Sequence, residues 1–265
     1  MSGGFYLENS GAVTLLRSGL FDGSRISHAF STRLGGVSVG EYSSMNLRFS
    51  CGDSPESVGK NYEVLASAVG FELSKTARAK QIHGDTVRVV REYEPYMGND
   101  ADCDALITNL RGQALMVFAA DCVPVLLCDP ATGAVGAVHA GWRGTANGIV
   151  KNAVLAMNEA YGALPENILC AIGPCISAEQ YEVGGEVAEA LETALSDTEG
   201  LLQRRGEKWF PDLRELNRLI LRRAGVKPKN IAVSDMCTNS NAELFWSHRR
   251  DGNARGVQCG VIAAV

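Results

Sequence analysis

Several features are missing from this sequence, and each absence excludes a class of protein. No apolar run approaches the roughly 18 residues that a membrane-spanning helix needs. The N-terminal stretch lacks a basic segment followed by an apolar one, so it does not resemble a secretory signal. The net charge of −5 at pH 7 argues against nucleic-acid binding, which normally requires a basic face. We therefore expect a cytoplasmic protein with no membrane or nucleic-acid partner.

Cysteine and histidine are the residue types that carry most information here. Eight cysteines are present, but no two have the C-x-x-C spacing of a structural zinc knuckle. A chain of 265 residues without an export signal is not a typical disulfide scaffold, so most thiols, Cys175 among them, should be buried hydrophobes. Only four histidines occur, which makes the position of each one informative.

Strand-length apolar runs bounded by turn residues predict a core built on a sheet. Several runs are apolar throughout, as in strands that are covered on both faces. Since no repeat or linker interrupts the chain, we predict a single domain over residues 1–265, of mixed α/β class, with helices flanking the sheet. The predicted strands are 113–121, 123–128, 134–139, 168–173, 231–236 and 256–264, and the predicted helices are 54–70, 145–162 and 211–225.

A cysteine and a histidine stand out in the stretch ADCVPVLLCDPATGAVGAVHAGWRGT, residues 120–145. The turn CDPATGA joins its two apolar runs as a hairpin, which brings Cys122 near His139. His83, in KQIHGDTV, is placed at the end of a strand. Two imidazoles and one thiolate suit Zn²⁺, and three protein ligands leave the fourth position of a catalytic zinc site open for a water. These residues therefore predict a catalytic metal site.

The same atoms allow two other interpretations. Cys122 and His139 could work without a metal, as a nucleophile and its base in acyl transfer or amide hydrolysis. A blue-copper site also uses two histidines and one cysteine, so ligand type does not exclude copper. A full multicopper oxidase is excluded, because its blue site and trinuclear cluster need far more than four histidines.

The turn AGWRGT, which follows His139, has the features of an anion site. We predict that a helix opens at about residue 145. Backbone N–H groups at such a strand-to-helix turn, together with the helix dipole, attract negative charge. Arg143 would add a forked pair of donors. We therefore expect Arg143 and the N–H groups of Gly144 and Thr145 to contact a phosphate or carboxylate.

Two further loops carry residues that could contact a substrate. The Gly-rich segment STRLGGVSVGEYSSMNL contains Arg33 and Asn46. In CTNSNAELFWSHRRDG, Arg249 follows an aromatic pair and precedes Asp-Gly, which suggests a turn that delivers one arginine to a pocket. We expect Arg33, Asn46 and Arg249 to contact substrate or phosphate.

Six blocks of the sequence resemble, in order, the laccase-domain family, which has also been labelled polyphenol oxidase and peptidoglycan editing factor. Its members are regarded as purine nucleoside phosphorylases with adenosine deaminase activity. The resemblance covers about residues 30–262. At His248 many relatives have tyrosine, so we expect a spectator role for this histidine. The blocks are STRLGGVS, KQIHGDTV, ADCVPVLLCDP, AVHAGWRGT, AIGPCISAEQYEVG and CTNSNAELFWSHRRDG.

This resemblance implies a fold and a ligand set. It implies that His83, Cys122 and His139 bind zinc, with copper as an alternative. It also implies a central β-sandwich with helices outside, similar to the catalytic domain of the cytotoxic necrotizing factor toxins. In those toxins the corresponding cysteine and histidine form a hydrolase dyad, which keeps the metal-free interpretation open.

The sequence supports three functional hypotheses. The first, implied by the resemblance, is phosphorolysis of adenosine, inosine, guanosine or methylthioadenosine, together with deamination of adenosine; the partners are then a purine nucleoside and inorganic phosphate. Deamination needs an acid or base, which Asp121 would supply, unless it points away and only orients a ligand. The second is a metal-dependent or Cys–His amidase that edits cell-wall precursors. The third, a metal-binding or interaction module, leaves Arg143 and its glycines unexplained. The oligomeric state stays open, and a monomer is compatible with the sequence.

Overall fold

The central strands of this protein are apolar throughout because both of their faces are buried. In the computed structural model, which describes residues 4–97, 101–198 and 200–265, the strands form two six-stranded sheets and a two-stranded ribbon. In one central strand, Val125 and Leu127 face one side while Leu126 and Cys128 face the other, and all four are fully buried. Burial on both faces is the reason that the hydrophobic pattern does not alternate.

The described residues contain fourteen strands and six α-helices, besides five short 3₁₀ helices. The strands are β1 (Phe5–Ser10), β2 (Val13–Ser18), β3 (Ile26–Ser31), β4 (Thr76–Arg78), β5 (Val87–Val89), β6 (Ala105–Thr108), β7 (Ala114–Ala119), β8 (Val123–Asp129), β9 (Ala134–Ala140), β10 (Leu169–Ile172), β11 (Leu202–Arg205), β12 (Lys208–Pro211), β13 (Ile231–Val233) and β14 (Gln258–Ala264). The helices are α1 (Pro55–Val69), α2 (Trp142–Ala146), α3 (Ile149–Tyr161), α4 (Gly185–Leu195), α5 (Leu213–Arg223) and α6 (His248–Asp251).

Two mixed sheets pack face to face as a β-sandwich. The first has the strand order β1-β2-β3-β14-β7-β4, and the second has the order β13-β10-β8-β9-β6-β5. Phe30, Val117 and Ile262 of the first sheet pack against Leu126 and Ala137 of the second in one buried cluster. The mixed α/β class and the sandwich are therefore confirmed.

Helices cover the outer faces of both sheets. Helix α1 packs its buried residues on the outer face of the first sheet, together with residues of β14 and β7. Helices α3, α4 and α5 share a buried cluster with the outer face of the second sheet. The result is four layers, in the order helix, sheet, sheet, helices.

The predicted elements are present, with some shifts at their ends. Helix α1 starts after its N-cap Ser54 and ends at Gly70, whose φ is +88°. The helix predicted over 145–162 is two helices, because Gly148 adopts φ +73° and separates α2 from α3. The strand predicted over 231–236 ends at Val233. Strands β1 to β6, β11 and β12 and helices α4 and α6 lie outside the predicted elements.

The hairpin of β8 and β9 carries the residues around which the site is built. Its antiparallel register pairs Val123 with Ala140 and Pro124 with His139. Cys122 precedes β8 directly, so it lies beside the end of β9 that carries His139. The hairpin that the sequence predicts is therefore present and places these two side chains together. Among the described residues, no helix is both long and apolar enough to span a membrane.

Candidate metal centre and its two clefts

Three side chains that the sequence predicts as metal ligands converge in the structure. One ligand atom each from His83, Cys122 and His139 lies within 4.8 Å of the other two. The His83 Nε2 atom is 3.9 Å from the Cys122 Sγ atom, and the two imidazole rings meet edge to face with their centroids 4.9 Å apart. His83 is exposed, Cys122 is half-buried and His139 is buried. These distances allow one small metal ion to contact all three donors.

Asp104, directly before β6, organises the turn that carries His83. Its carboxylate accepts hydrogen bonds from the backbone N–H groups of Ile82 (3.2 Å), His83 (3.0 Å) and Gly84 (2.7 Å). Three successive N–H groups around one anion form a concave backbone nest. This nest accounts for the positive φ of His83, +59°, which is uncommon for a residue other than glycine. The buried carboxylate thus holds the His83 turn in place.

Asp104 also orients the second histidine. Its Oδ1 atom lies 2.8 Å from the Nδ1 atom of His139, and both side chains are buried. A carboxylate accepts a hydrogen bond from Nδ1–H, which leaves Nε2 as the ring nitrogen that a metal can use. Burial raises the pKa of Asp104, but the bonds from His139 and Gly84 outweigh it and the pKa is lowered. A single ionised carboxylate therefore supports both imidazoles.

The electrostatics of Cys122 and His139 are those of an ion pair. Burial raises the pKa of the Cys122 thiol, but the charge and hydrogen bond of His139 outweigh it and lower the pKa to about 6. Burial lowers the pKa of His139, but Cys122 and Asp104 outweigh it and raise the pKa to about 9. Without a metal, thiolate and imidazolium stabilise each other. The thiolate is the form in which cysteine binds a metal or attacks an electrophile.

Asp121 points away from this centre. Its backbone has φ +91°, and its buried carboxylate accepts hydrogen bonds from Thr238 Oγ1 (2.7 Å), Ser247 Oγ (3.1 Å) and the backbone N–H of Arg249 (2.6 Å). Both carboxylate oxygens are thus occupied by the C-terminal loop. Asp121 also lines the smaller cleft, but of the two roles considered for it the geometry favours the one in which it orients its neighbours, because both oxygens already accept hydrogen bonds from that loop.

Two clefts meet at the converged side chains. The larger has a volume of about 500 Å³ and is lined by all three donors, by the apolar side chains of Phe49 and Phe118, and by several basic residues. The smaller has a volume of about 260 Å³ and includes His83 and Cys122. The larger cleft is in the range that binds small organic ligands. A ligand in either cleft would therefore lie beside at least two of the three donors, His83 and Cys122.

The turn AGWRGT, predicted to bind an anion, lies at the smaller cleft, but its free N–H groups differ from those predicted. Arg143 lines this cleft and lies 4.2 Å from the centroid of the Trp142 ring. The N–H group of Thr145 is not available to an anion, because it donates to the Gly141 carbonyl at 2.8 Å within α2. Gly144 instead allows close packing, since a Cβ atom there would be 2.9 Å from the Gly84 carbonyl oxygen. Helix α2 starts at Trp142 rather than at about residue 145, so the N–H group of Thr145 lies inside the helix instead of at its free N-terminal end.

Arg249 reaches the smaller cleft, whereas Arg33 and Asn46 reach neither. Arg249 lines it and donates from Nη1 to the Glu182 carbonyl at 2.9 Å. The guanidinium of Arg33 donates to the carbonyls of Ser43 and Ala242 and stacks 3.7 Å from the centroid of the Trp246 ring. Its donors therefore connect two loops, and the predicted substrate contact of Arg33 is not supported.

Asn46 is fully buried and its side chain is hydrogen-bonded to two separate segments of the chain. Its Oδ1 atom accepts from the backbone N–H groups of Arg48 (2.9 Å) and Val257 (3.3 Å), and its Nδ2 atom donates to Asp53 (2.8 Å). With no exposed surface, Asn46 cannot contact a ligand directly. The expectation of a substrate contact is corrected to a positioning role.

Two other expectations concern side chains near the site. His248 is exposed and lines the smaller cleft, and its Nδ1 atom lies 3.0 Å from the Gly252 carbonyl oxygen. It is outside the group of converging ligands. Cys175 is fully buried, and burial raises the pKa of its thiol well above the ordinary value, as expected of a packed cysteine.

Sequence reasoning missed Asp104 and the basic residues of the larger cleft, including Arg48 and Arg255. The only local signal for Asp104 is a carboxylate directly before a short apolar run, in ADCDALIT. Such a residue is usually a turn residue, and its role depends on pairing between β6 and β9. Arg48 and Arg255 are remote in the sequence, and no motif joins them.

The fold and the site together define a class: a β-sandwich enclosed by helices, with a His₂Cys centre at the meeting point of two clefts. The chain belongs to the family described as multi-copper polyphenol oxidoreductase laccase, whose model matches residues 27–265. Within the described residues, the three-donor group is the only cluster of histidine, cysteine and carboxylate ligands suited to a metal.

Relatives of known name agree with this membership. The chain is 42% identical to a protein of Deinococcus radiodurans named purine nucleoside phosphorylase, over 89% of this chain and 88% of that protein. It is 39% identical to purine nucleoside phosphorylase YfiH of Escherichia coli, over 83% and 87% of the two chains. Its structure matches that of YlmD from Geobacillus stearothermophilus with a TM-score of 0.91 and 32% identity, over 98% of both chains.

Proposed function

We propose that this protein is a metal-dependent purine nucleoside phosphorylase that cleaves adenosine, inosine, guanosine or methylthioadenosine with inorganic phosphate. The observation that carries the proposal is a cleft of about 500 Å³ in which the three predicted ligands converge, in a chain whose relatives are named purine nucleoside phosphorylases. The apolar walls formed by Phe49 and Phe118 suit a purine ring, since aromatic side chains stack on bases.

The donor set of the centre supports zinc as its metal, with copper as the alternative. His83, Cys122 and His139 supply two nitrogens and one sulfur, and the orienting carboxylate of Asp104 is the partner that metal-bound histidines usually have. Zinc, when bound, would supply a Lewis acid and activate water at an open coordination position. The chain's own contribution is to keep Nδ1 of His139 protonated and Cys122 ionised.

Phosphorolysis is a displacement at the ribose C1′ atom. A phosphate oxygen forms a bond to C1′ while the bond from C1′ to the purine nitrogen breaks, and the purine leaves with the electron pair and takes up a proton. The protein must therefore hold phosphate and ribose in contact and limit water. Arg143 and Arg249 line the smaller cleft and are proposed to contact the ribose where the nucleoside extends past Cys122.

We also propose deamination of adenosine at the same centre. In that reaction water adds to C6 of the purine and ammonia leaves, which requires a proton transfer to the leaving nitrogen. Because both oxygens of Asp121 accept hydrogen bonds from the C-terminal loop, we propose that Asp121 positions Cys122 and Arg249 rather than transferring this proton.

The test is a measurement of metal content and of base release on the purified protein. Inosine and adenosine are incubated with and without phosphate, and the products are separated by chromatography. We expect phosphate-dependent release of hypoxanthine or adenine, its loss after chelation, and its recovery on adding either zinc or copper, which identifies the metal. His139→Ala should lose both metal and activity, whereas His248→Gln should keep its metal. A metal-loaded protein that releases no base contradicts the proposal.

A second candidate function is favoured by one specific observation, the chain of contacts from Asp104 through His139 to Cys122. An orienting carboxylate, an imidazole and a thiolate are the parts of a cysteine hydrolase. In an amidase that edits cell-wall precursors, the thiolate would attack the amide carbonyl, His139 would protonate the leaving amine, and water would release the acyl group. Cleavage of a muramoyl–amino-acid bond that survives a strong chelator and is lost in Cys122→Ser would support this candidate.

We further propose that residues 1–265 form one domain that works in the cytoplasm. The core shared by the two sheets supports a single domain, since neither sheet could bury its inner face without the other. All eight cysteines are unpaired, which supports a reducing compartment.

A further inference from the structure

Arg48 and Arg255 form a pair of guanidinium groups in the larger cleft that the proposed function has not yet used. Both line this cleft together with His83, Cys122 and His139. Neither has a carboxylate at ion-pair distance among the described residues, whereas Lys80, on the same cleft, is paired with Asp102 at 2.9 Å. Two cations that share a cleft repel each other, and an anion bound between them would relieve that repulsion.

The two guanidinium groups keep most of their hydrogen-bond donors free for a ligand. Arg48 donates from Nη1 to the Asn253 carbonyl at 3.3 Å, and Arg255 donates from Nη1 to the Gly256 carbonyl at 3.0 Å. The Nε atom of Arg255 is buried and has no hydrogen-bond partner. A buried donor without a partner costs free energy, so such groups in native structures normally meet a ligand or water.

The protein holds the pair together through its backbone. The side-chain oxygen of the buried Asn46 accepts from the N–H groups of Arg48 and Val257, and the Leu47 N–H donates to the Val257 carbonyl at 3.3 Å. These bonds fix the segment that carries Arg48 against the segment that carries Arg255. Burial lowers the pKa of Arg255 and the positive charge of Arg48 lowers it further, while the negative charges of Asp121, Cys122 and Asp251 offset part of this shift.

We propose that Arg48 and Arg255 form the binding site for inorganic phosphate, beside the metal centre in the larger cleft. Guanidinium forks match the oxygens of a tetrahedral dianion, and two of them balance its charge. Arg143 and Arg249, by contrast, are exposed at the smaller cleft, where water competes for the anion. This inference rests on the proposed function for its biological meaning, because phosphate is then the attacking substrate.

The experiment measures phosphate binding and, separately, the kinetic constants. Inorganic phosphate is titrated into the purified protein without nucleoside, and the dissociation constant is compared among Arg48→Gln, Arg255→Gln and the double variant Arg143→Gln/Arg249→Gln. Losing one charge-assisted contact should weaken binding by about tenfold to a hundredfold in the first two variants. The smaller-cleft variant should bind phosphate as the unaltered protein does. Arg48→Lys, which keeps the charge but loses the fork, should lie in between and serves as a check on folding.

The outcomes separate this inference from the proposed function. If nucleosides are cleaved, Arg48→Gln and Arg255→Gln should raise KM for phosphate much more than KM for the nucleoside. Unchanged phosphate affinity in both variants, or a loss confined to the smaller-cleft variant, overturns the inference even if phosphorolysis occurs. Phosphate binding that depends on the arginine pair, in a protein that cleaves no nucleoside, supports the site and refutes the proposed function.

Discussion

Replacing Asp104 with asparagine should weaken metal binding, because this carboxylate supports two of the three predicted ligands. Four N–H groups converge on it: three from the backbone of residues 82–84 and one from His139. Each carboxylate oxygen accepts two of them. In Asp104→Asn one oxygen becomes an NH₂ group, so two donors face another donor whichever way the amide is turned.

The size of the effect can be worked from these contacts. A buried donor that loses its acceptor costs about 1–3 kcal/mol, so two donors cost at most about 2–6 kcal/mol if the turn does not move, and less for the partly buried N–H groups of the turn. Because His83 lies on an exposed turn, part of this strain can be relieved by displacing that turn, which moves a ligand. Changes to the partner of a metal-bound histidine typically reduce metal affinity by about 10- to 100-fold. We expect a loss of zinc affinity in this range.

The assay is a competition titration with a chromophoric zinc chelator, combined with chemical denaturation. Asp129→Asn is the matched control: Asp129 is also buried and accepts two hydrogen bonds, from Ala131 and Thr132, at the opposite end of the β8–β9 hairpin. The control should lose stability and keep zinc affinity. If Asp104→Asn binds zinc as tightly as the unaltered protein, the reasoning that Asp104 sets the orientation of both histidines is refuted.

Two further predictions concern a glycine and a buried histidine. In Gly141→Ala the new Cβ would be 3.0 Å from His83 Cδ2 and 3.3 Å from Cys122 Sγ, so the metal content should fall. Gly59→Ala is the control: it has open space around it in helix α1, so it should keep its metal and gain about 0.5–1 kcal/mol in stability. Equal metal content in the two variants would count against the placement of the donors. For His28, burial and then the charge of Arg17 lower the pKa to about 3. The unfolded chain therefore takes up a proton below its ordinary value near 6.5 while the folded protein does not, and the free energy of unfolding should fall by up to about 1.4 kcal/mol per pH unit between about 6.5 and 3. Denaturation at pH 7 and pH 5 measures this slope, and an equal slope in His28→Gln would assign it to other groups.

Much of the fold could be predicted because its signals are local. The apolar runs of β7 to β10 and β14, the hairpin turn and the caps of α1 are set by residues near one another in the chain. The break at Gly148 was missed because a helical pattern continues across it, and only the positive φ of this glycine divides the helix. The pairing of β1 to β3 with β14 joins the two ends of the chain, so it depends on contacts that no local pattern contains.

The same division applies to the site. The sequence by itself determined the three donors, because His83, Cys122 and His139 stand in short motifs whose chemistry is readable from residue type. Tertiary structure alone decided which side chains support them. Arg33 and Asn46 lie in a Gly-rich loop that resembles a ligand-binding loop, but their polar groups bind other parts of the chain. The roles of Asp104 and of the Arg48–Arg255 pair depend on strand pairing and packing. A carboxylate or a guanidinium is not assigned a role by its sequence neighbours, because its role depends on which groups lie next to it in the folded protein.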